Sequence, residues 1–350
     1  MSRHVIRRLP LGAALALAAT CALLIGAAMP VAAFVPRDDS RIIARIQVPG
    51  GATNLAMGPK GRYLWTLSNK GNRLTPLQVS DNDVGTGIPL GGGLRGGMAL
   101  APDGRTAYVS SYSTRTVLVV DLGRGRVIDR IRVGRRPGGL AVSPDGTQVY
   151  VSCWGDQSVF VISTASNRVL DEIPVRGHPD ALAVAPDGLR VYVAAISEDL
   201  VSVINTRTRR EIGGFASPGP TSLAVSEDGT RVYVAGVAPR NRLSAVETVS
   251  LTGVGSLRLP ERPEDVVVSP DGQRLYLAMQ GVGVVDESTL AYLGTIPLDG
   301  NAMRHVAVRE DGARVYATGD DGDLYVVDVA GYADEPYLIT PPRDENGIRP

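Results

Sequence analysis

Short runs in which apolar side chains alternate with polar ones, or in which β-branched residues gather, recur along residues 41–330. Residues 139–175 show the pattern: GLAVS, the turn PDG, TQVYVS, the polar loop CWGDQ, SVFVIS, the turn TASN, and RVLDEIPV. Alternation at a period of two predicts strands, and Pro-Asp-Gly between two of them predicts a tight turn. Pro presets φ at such a turn, and Gly accepts the positive φ that follows. Each unit is therefore expected to hold two hairpins, four strands in all.

The unit repeats. Its turn glycine recurs at Gly61, Gly104, Gly146, Gly188, Gly229, Gly272 and Gly312, 40 to 43 residues apart. Four positions later stands an aromatic each time: Trp65, Tyr108, Tyr150, Tyr192, Tyr233, Tyr276 and Tyr316. A four-stranded sheet of this size cannot cover both its faces alone, but a closed ring of such sheets can. The expected fold is an all-β, seven-bladed β-propeller with four-stranded blades, the aromatic serving as inter-blade packing. The turn aspartates Asp103, Asp145, Asp187, Asp228, Asp271 and Asp311 resemble a catalytic series, yet their position predicts side-chain bonds to the turn backbone.

The chain ends predict how the ring closes. RIIARIQVPG at 41–50 matches the fourth-strand sequence RVIDRIRVG at 126–134, whereas the seventh copy supplies only three strands before AGYADEPYLITPP. The N-terminal strand, 41–49, is expected to complete the last blade beside residues 322–328, leaving 331–350 as a tail. PYLIT at 336–340 is the competing candidate for that strand.

Before the propeller, assigned to 34–330, lies a different composition. Arg3, Arg7 and Arg8 precede an uncharged Ala-rich run, then Val31 and Ala33 in PVAAF. That order is that of a signal peptide over residues 1–33. An uncleaved anchor is its rival, because the run is long. Cleavage after Ala33 would lower Lys plus Arg from 36 to 33 against 36 acids, leaving a net charge of −3. Such a balance gives no bulk attraction to nucleic acid, and none is expected as a partner. Cys153 alone would remain, which excludes an intrachain disulfide and predicts a buried, inert thiol. The mature chain is expected to be an exported monomer, secreted or associated with the cell envelope, with no membrane span.

With LAVSPDGTQVYVS at 140–152 in view, the repeats resemble the YVTN β-propeller family. The resemblance covers residues 41–330 and weakens in the first copy, where GPKGRYLW replaces the usual letters. It implies an exported propeller, YncE-like, with lactonase-type and haem-binding relatives. A fold shared so widely leaves the activity open.

Candidate sites follow from ring order. One face should carry the PDG turns. The other should carry the loops that enter each blade and those that join its second and third strands, around the channel mouth, where ligands commonly bind. Blades 1 to 3 bring Lys70, Arg73, Arg95, Arg115, Arg135, Arg136 and Arg176 there, against Asp156 and Asp180. Blades 6 and 7 bring Glu261, Glu264, Asp265, Asp320, Asp321 and Asp323, against Arg262 and Arg304. A mouth positive on one side and negative on the other is the expectation. One ring position runs Asn54, Gly97, Gly139, Ala181, Ser222, Asp265 and His305, placing Asp265, His305 and Asn54 on consecutive blades as a polar arc. Imidazole beside carboxylate is how a general base is oriented, although such pairs also serve structure. His178, followed by Pro179 and Asp180, is a loop histidine or, by resemblance, a haem ligand. No CxxCH, zinc set or calcium loop is present, so no cofactor or metal is expected. The leading expectation is a non-catalytic scaffold binding an envelope protein or a small ligand at the mouth. A lactonase- or lyase-like enzyme at the polar arc is the alternative, and a haem or cofactor carrier the second.

Overall fold

The computed structural model describes residues 41–237, 241–299 and 302–332; the expected signal segment and PYLIT lie outside them. Seven antiparallel sheets of four strands make up the described chain. Blades 1 to 6 span 54–89, 98–132, 137–174, 182–216, 220–258 and 265–296, and blade 7 spans 303–328 with one strand from the N-terminus. The first strand of every blade touches the first strands of both neighbours, and blade 7 meets blade 1, so the ring is closed. The seven-bladed expectation is met. Among the described residues no helix is long and apolar enough to cross a membrane.

Burial varies across each blade as stacking requires. Second strands such as Gln148–Cys153 and Arg190–Ala195 are buried on both faces after their first residue, because a blade lies on either side. Outer strands such as Ile42–Gln47 alternate half-buried and exposed, because one face meets water. The repeated aromatics lie in the junctions. Tyr150 packs with Val191, Val193 and Ile204 of blade 4, and Tyr316 with Leu64 and Leu77 of blade 1.

The turns behave as their residues dictate. Each of Asp103, Asp145, Asp187, Asp228, Asp271 and Asp311 accepts a bond at 2.8–3.0 Å from the backbone N–H two residues on. The glycine between them takes φ of 67–71°. These carboxylates are turn formers and belong to no catalytic series.

Ile42–Gln47 pairs antiparallel with Asp323–Asp328, Ile46 opposite Leu324 and Ile42 opposite Val327. An otherwise open sheet edge is thereby covered. Arg45 secures the seam with ion pairs to Asp299, Asp321 and Asp323 at 3.1, 2.9 and 2.6 Å. Tyr332, within the expected tail, is buried with Val329 at the junction of blades 6 and 7, under the Arg41 guanidinium.

Candidate functional site at the channel mouth

The polar arc assembles, and extends one blade further than Asp265, His305 and Asn54. His305 Nδ1 lies 3.3 Å from Asp265 Oδ2, and its Nε2 lies 3.3 Å from Asn54 Nδ2. The carboxylate can only accept, which places the proton on Nδ1 and lets Nε2 accept from the Asn54 amide. Ser222, on blade 5, donates to Asp265 Oδ1 at 2.6 Å. Backbone N–H groups of Val266 and Val306 complete the carboxylate's shell at 2.9 and 3.2 Å. Four blades are thus stitched together by side chains, and both nitrogens of His305 are spent on the stitching.

Across the ring the same position holds Gly97, Gly139 and Ala181, and the junctions are made by backbone. Gly97 N–H donates to Gly138 O and Gly139 N–H to Asp180 O, both at 3.2 Å. Ser110 and Ser152 hydroxyls reinforce those carbonyls at 2.7 and 2.6 Å. The Asp180 side chain has no ion-pair partner among the described residues; it is open to water yet surrounded by protein, and burial pushes its carboxyl above the usual range.

Two depressions open on this face. One, of about 560 Å³ between blades 2 and 3, is lined by Tyr112, Ser113, Arg115, Arg135, Arg136 and Trp154. The Arg136 guanidinium lies 4.7 Å over the Trp154 ring, whose indole also stacks on His178 at 4.4 Å. Arg135 is committed to Asp156 through its backbone N–H and through Nε, the latter at 2.6 Å. Burial opposes the charge on Asp156, but those bonds and the nearby charges of Arg135 and Arg115 outweigh it and hold the carboxyl below its ordinary range. Arg115 and Arg136 pair with no carboxylate among the described residues. Arg95 is exposed but does not line the depression.

The other depression, about 450 Å³ between blades 7 and 1, is lined by Gly50–Thr53, Lys70, Arg304, His305, Asp320 and Asp321. Its acids are neutralised from within. Arg304 pairs with Asp320 and, at 3.6 Å, with Glu264; Arg262 takes the same Glu264 at 2.8 Å, and Arg45 holds Asp321. The expected negative side of the mouth is therefore largely self-paired, whereas the positive side keeps unpaired guanidinium groups.

His178 is fixed on both nitrogens. Nδ1 donates to Glu198 Oε1 at 2.6 Å, and Nε2 accepts from the Gln157 amide at 3.2 Å. Burial would raise the Glu198 carboxyl, but the hydrogen bonds from the His178 backbone N–H and ring bring it below its usual value. Arg176 bonds Glu211 at 2.7 Å, which removes it from the free charges of the rim. Sequence reasoning overlooked Trp154, Tyr112, Glu198 and Glu211. The rarity of tryptophan, with only two in the chain, was the available signal for Trp154.

No family model and no curated protein matches the chain. Solved structures do. A chain of hydrazine synthase from Kuenenia stuttgartiensis superposes with a TM-score of 0.72 at 20% identity, covering 85% of this chain and 99% of that one. The β-propeller domain of Cps50 (Swd1) from Myceliophteria thermophila gives 0.71 at 16% identity, with 82% and 99% covered. At such identities the likeness carries the architecture: the chain folds as a seven-bladed β-propeller.

Proposed function

We propose that this chain is an exported YVTN-type propeller that binds a ligand or an envelope protein through its channel-mouth face and performs no chemistry there. One observation carries the reading. The group most suited to act as a base, His305, has both nitrogens hydrogen-bonded inside the ring, while unpaired arginines stand open in a depression on the same face. Side-chain bonds across a blade junction hold blades in place; unpaired charges lining a concavity recruit partners. The repeat letters and the charged, apolar, small-residue order of 1–33 support export and the family reading.

Two measurements test this. The purified chain is expected to turn over no lactone or ester in a substrate panel. Capture from the native cell envelope is expected to yield a partner that the triple variant R95E/R135E/R136E fails to retain. Identical capture by both proteins overturns the reading.

A second reading has one observation behind it: His305, oriented by Asp265, borders the 450 Å³ depression, so a substrate that displaces the Asn54 amide would meet an oriented base. Lactone turnover that disappears in His305→Ala would establish it. The haem reading, which rests on His178 or His305, is taken no further, since neither offers an unbonded ring nitrogen.

A further inference from the structure

Depressions, charge clusters and buried titratable groups differ in one respect across this molecule. Among the described mouth cations, Arg135, Arg176, Arg262 and Arg304 have carboxylate partners, while of those without one only Arg115 and Arg136 line a depression together, at the junction of blades 2 and 3. Arg115, Arg135 and Arg136 line one depression; Asp156 is bonded to Arg135, feels the charge of Arg115 as well, and supplies one negative charge against three positive ones. Two positive charges remain uncompensated.

Both of those arginines sit where the backbone disfavours them. Arg115 has φ of 56° and Arg136 of 54°. The turn position of Arg115 is occupied in blades 1 and 4 by Asn72 and Asp199, residue types that tolerate the left-handed region, and in blade 3 by Gln157, also at positive φ. Three residues before the ring position, where Arg136 stands, blades 1 and 5 place Gly51 and Gly219, again with positive φ. An arginine held in that region costs on the order of 1 kcal/mol relative to glycine and gives the turn nothing in return. Trp154 does give Arg136 a direction, because its ring lies beneath the guanidinium. Its other contact, the stack on His178, which is itself bonded to Glu198 and Gln157, stiffens that platform. The sum is a preoriented cation beside a second unpaired one, with Tyr112 half-exposed on the wall.

We propose that the depression between blades 2 and 3 is a binding site for an organic phosphate monoester, its phosphate held by Arg115 and Arg136 and its organic part lying against Tyr112 and Trp154. The inference rests on the reading of this face as a binding face and names its ligand chemistry. Charge decides between candidate anions. Two free guanidinium groups match a group that carries about −1.5 to −2 and offers three acceptor oxygens, and guanidinium forks suit such oxygens. A carboxylate supplies one charge and two oxygens and leaves one arginine unanswered. Size decides against the inorganic ion, since about 560 Å³ far exceeds what a bare phosphate fills.

The test is calorimetric titration of the whole chain with phenyl phosphate, phenyl sulfate, benzoate and inorganic phosphate. Saturable binding of phenyl phosphate at neutral pH is expected, tighter than that of the other three. It should weaken as the pH falls through about 6, where the monoester dianion takes up a proton and keeps one negative charge. Arg115→Ala and Arg136→Ala should each weaken it about tenfold, and Arg304→Ala, at the other depression, should leave it unchanged. Unfolding midpoints are measured alongside, and Arg136→Lys, which retains charge and bulk, should recover part of the affinity if Arg136→Ala perturbs the fold. Absence of saturable binding, equal affinity for benzoate, or binding indifferent to Arg115 and Arg136 overturns the proposal. If phenyl phosphate fails while envelope capture still depends on the arginines, this inference alone falls. Lactone turnover lost in His305→Ala would instead remove the broader reading and leave the titration result standing.

Discussion

At one position in the repeat, blades 2 to 4 and blades 5 to 1 make the same junction by opposite means. Where the residue is Gly97 or Gly139, adjacent first strands come close enough to bond backbone to backbone. Where it is Ser222, Asp265, His305 or Asn54, the side chains span the gap and bond to one another. The difference concerns tolerance. A backbone contact has no adjustable part, so an added atom that collides with it must displace a strand; a side-chain chain can lose a member and be rebridged, in part by water.

The largest effect should come from the rigid arc. A Cβ on Gly139 would stand 2.6 Å from the Asp180 carbonyl oxygen, a backbone atom that cannot step aside. Gly139→Ala is therefore expected to destabilise the chain by about 2–3 kcal/mol, read as a lowered midpoint in denaturant. Gly97 is the internal control. Its Cβ would meet Gly138 O at 3.5 Å, an ordinary contact, and Gly97→Ala should change stability little. A large loss at both would mean that the arc fails through something other than crowding.

On the polar arc the expected losses are smaller and shared. Asp265→Ala strips an acceptor from Ser222, His305 and the Val266 and Val306 N–H groups, and about 1–2 kcal/mol is expected. His305→Ala should cost about 1 kcal/mol, and the double variant less than the sum, with a coupling of about 0.5–1 kcal/mol in a double-mutant cycle. Strict additivity would show that the 3.3 Å contact is mere proximity. The comparison between arcs would then reduce to glycine packing.

The ring position itself was legible in sequence because the repeat fixes where each strand begins, and strand register carries equivalent residues to equivalent places. Asn54, His305 and Asp265 follow from that register, as does the pairing of Ile42–Gln47 with the last blade. Loop tips carry no such guarantee. Arg135 and Arg136 are adjacent in sequence, yet one turns to Asp156 and the other to Trp154. His178 reaches Glu198 twenty residues on, and Arg176 reaches Glu211 thirty-five residues on, across loops whose alternation no longer applies. Charge counting gave a bipolar mouth because it could not register these pairings. Arg304 and Arg45 quench acids that composition alone leaves free.

The smallest effect tests whether the rigid arc protects what lies behind it. Cys153 pairs in register with Pro137 at the mouth end of blade 3 and is fully buried. Burial pushes its thiol up to about 12. In the folded chain it stays protonated at pH 8, and a maleimide or disulfide reagent should label it only through local opening. Because the folded value lies above that of an unfolded cysteine, near 8.5, the thiol's contribution is intact below that pH and declines as the pH rises toward about 12. Cys153→Ala should remove this part of the alkaline slope, leaving that of the buried tyrosines Tyr150 and Tyr276, which are also raised to about 12 by burial. Labelling at pH 8 should quicken in Gly139→Ala, whose inner strand is forced from its neighbour. It should hardly change in Asp265→Ala, whose damage lies on the other arc. Equal acceleration in both would show that the ring opens as one body, and the two modes of junction would then differ in chemistry without differing in the stability they give their own blades.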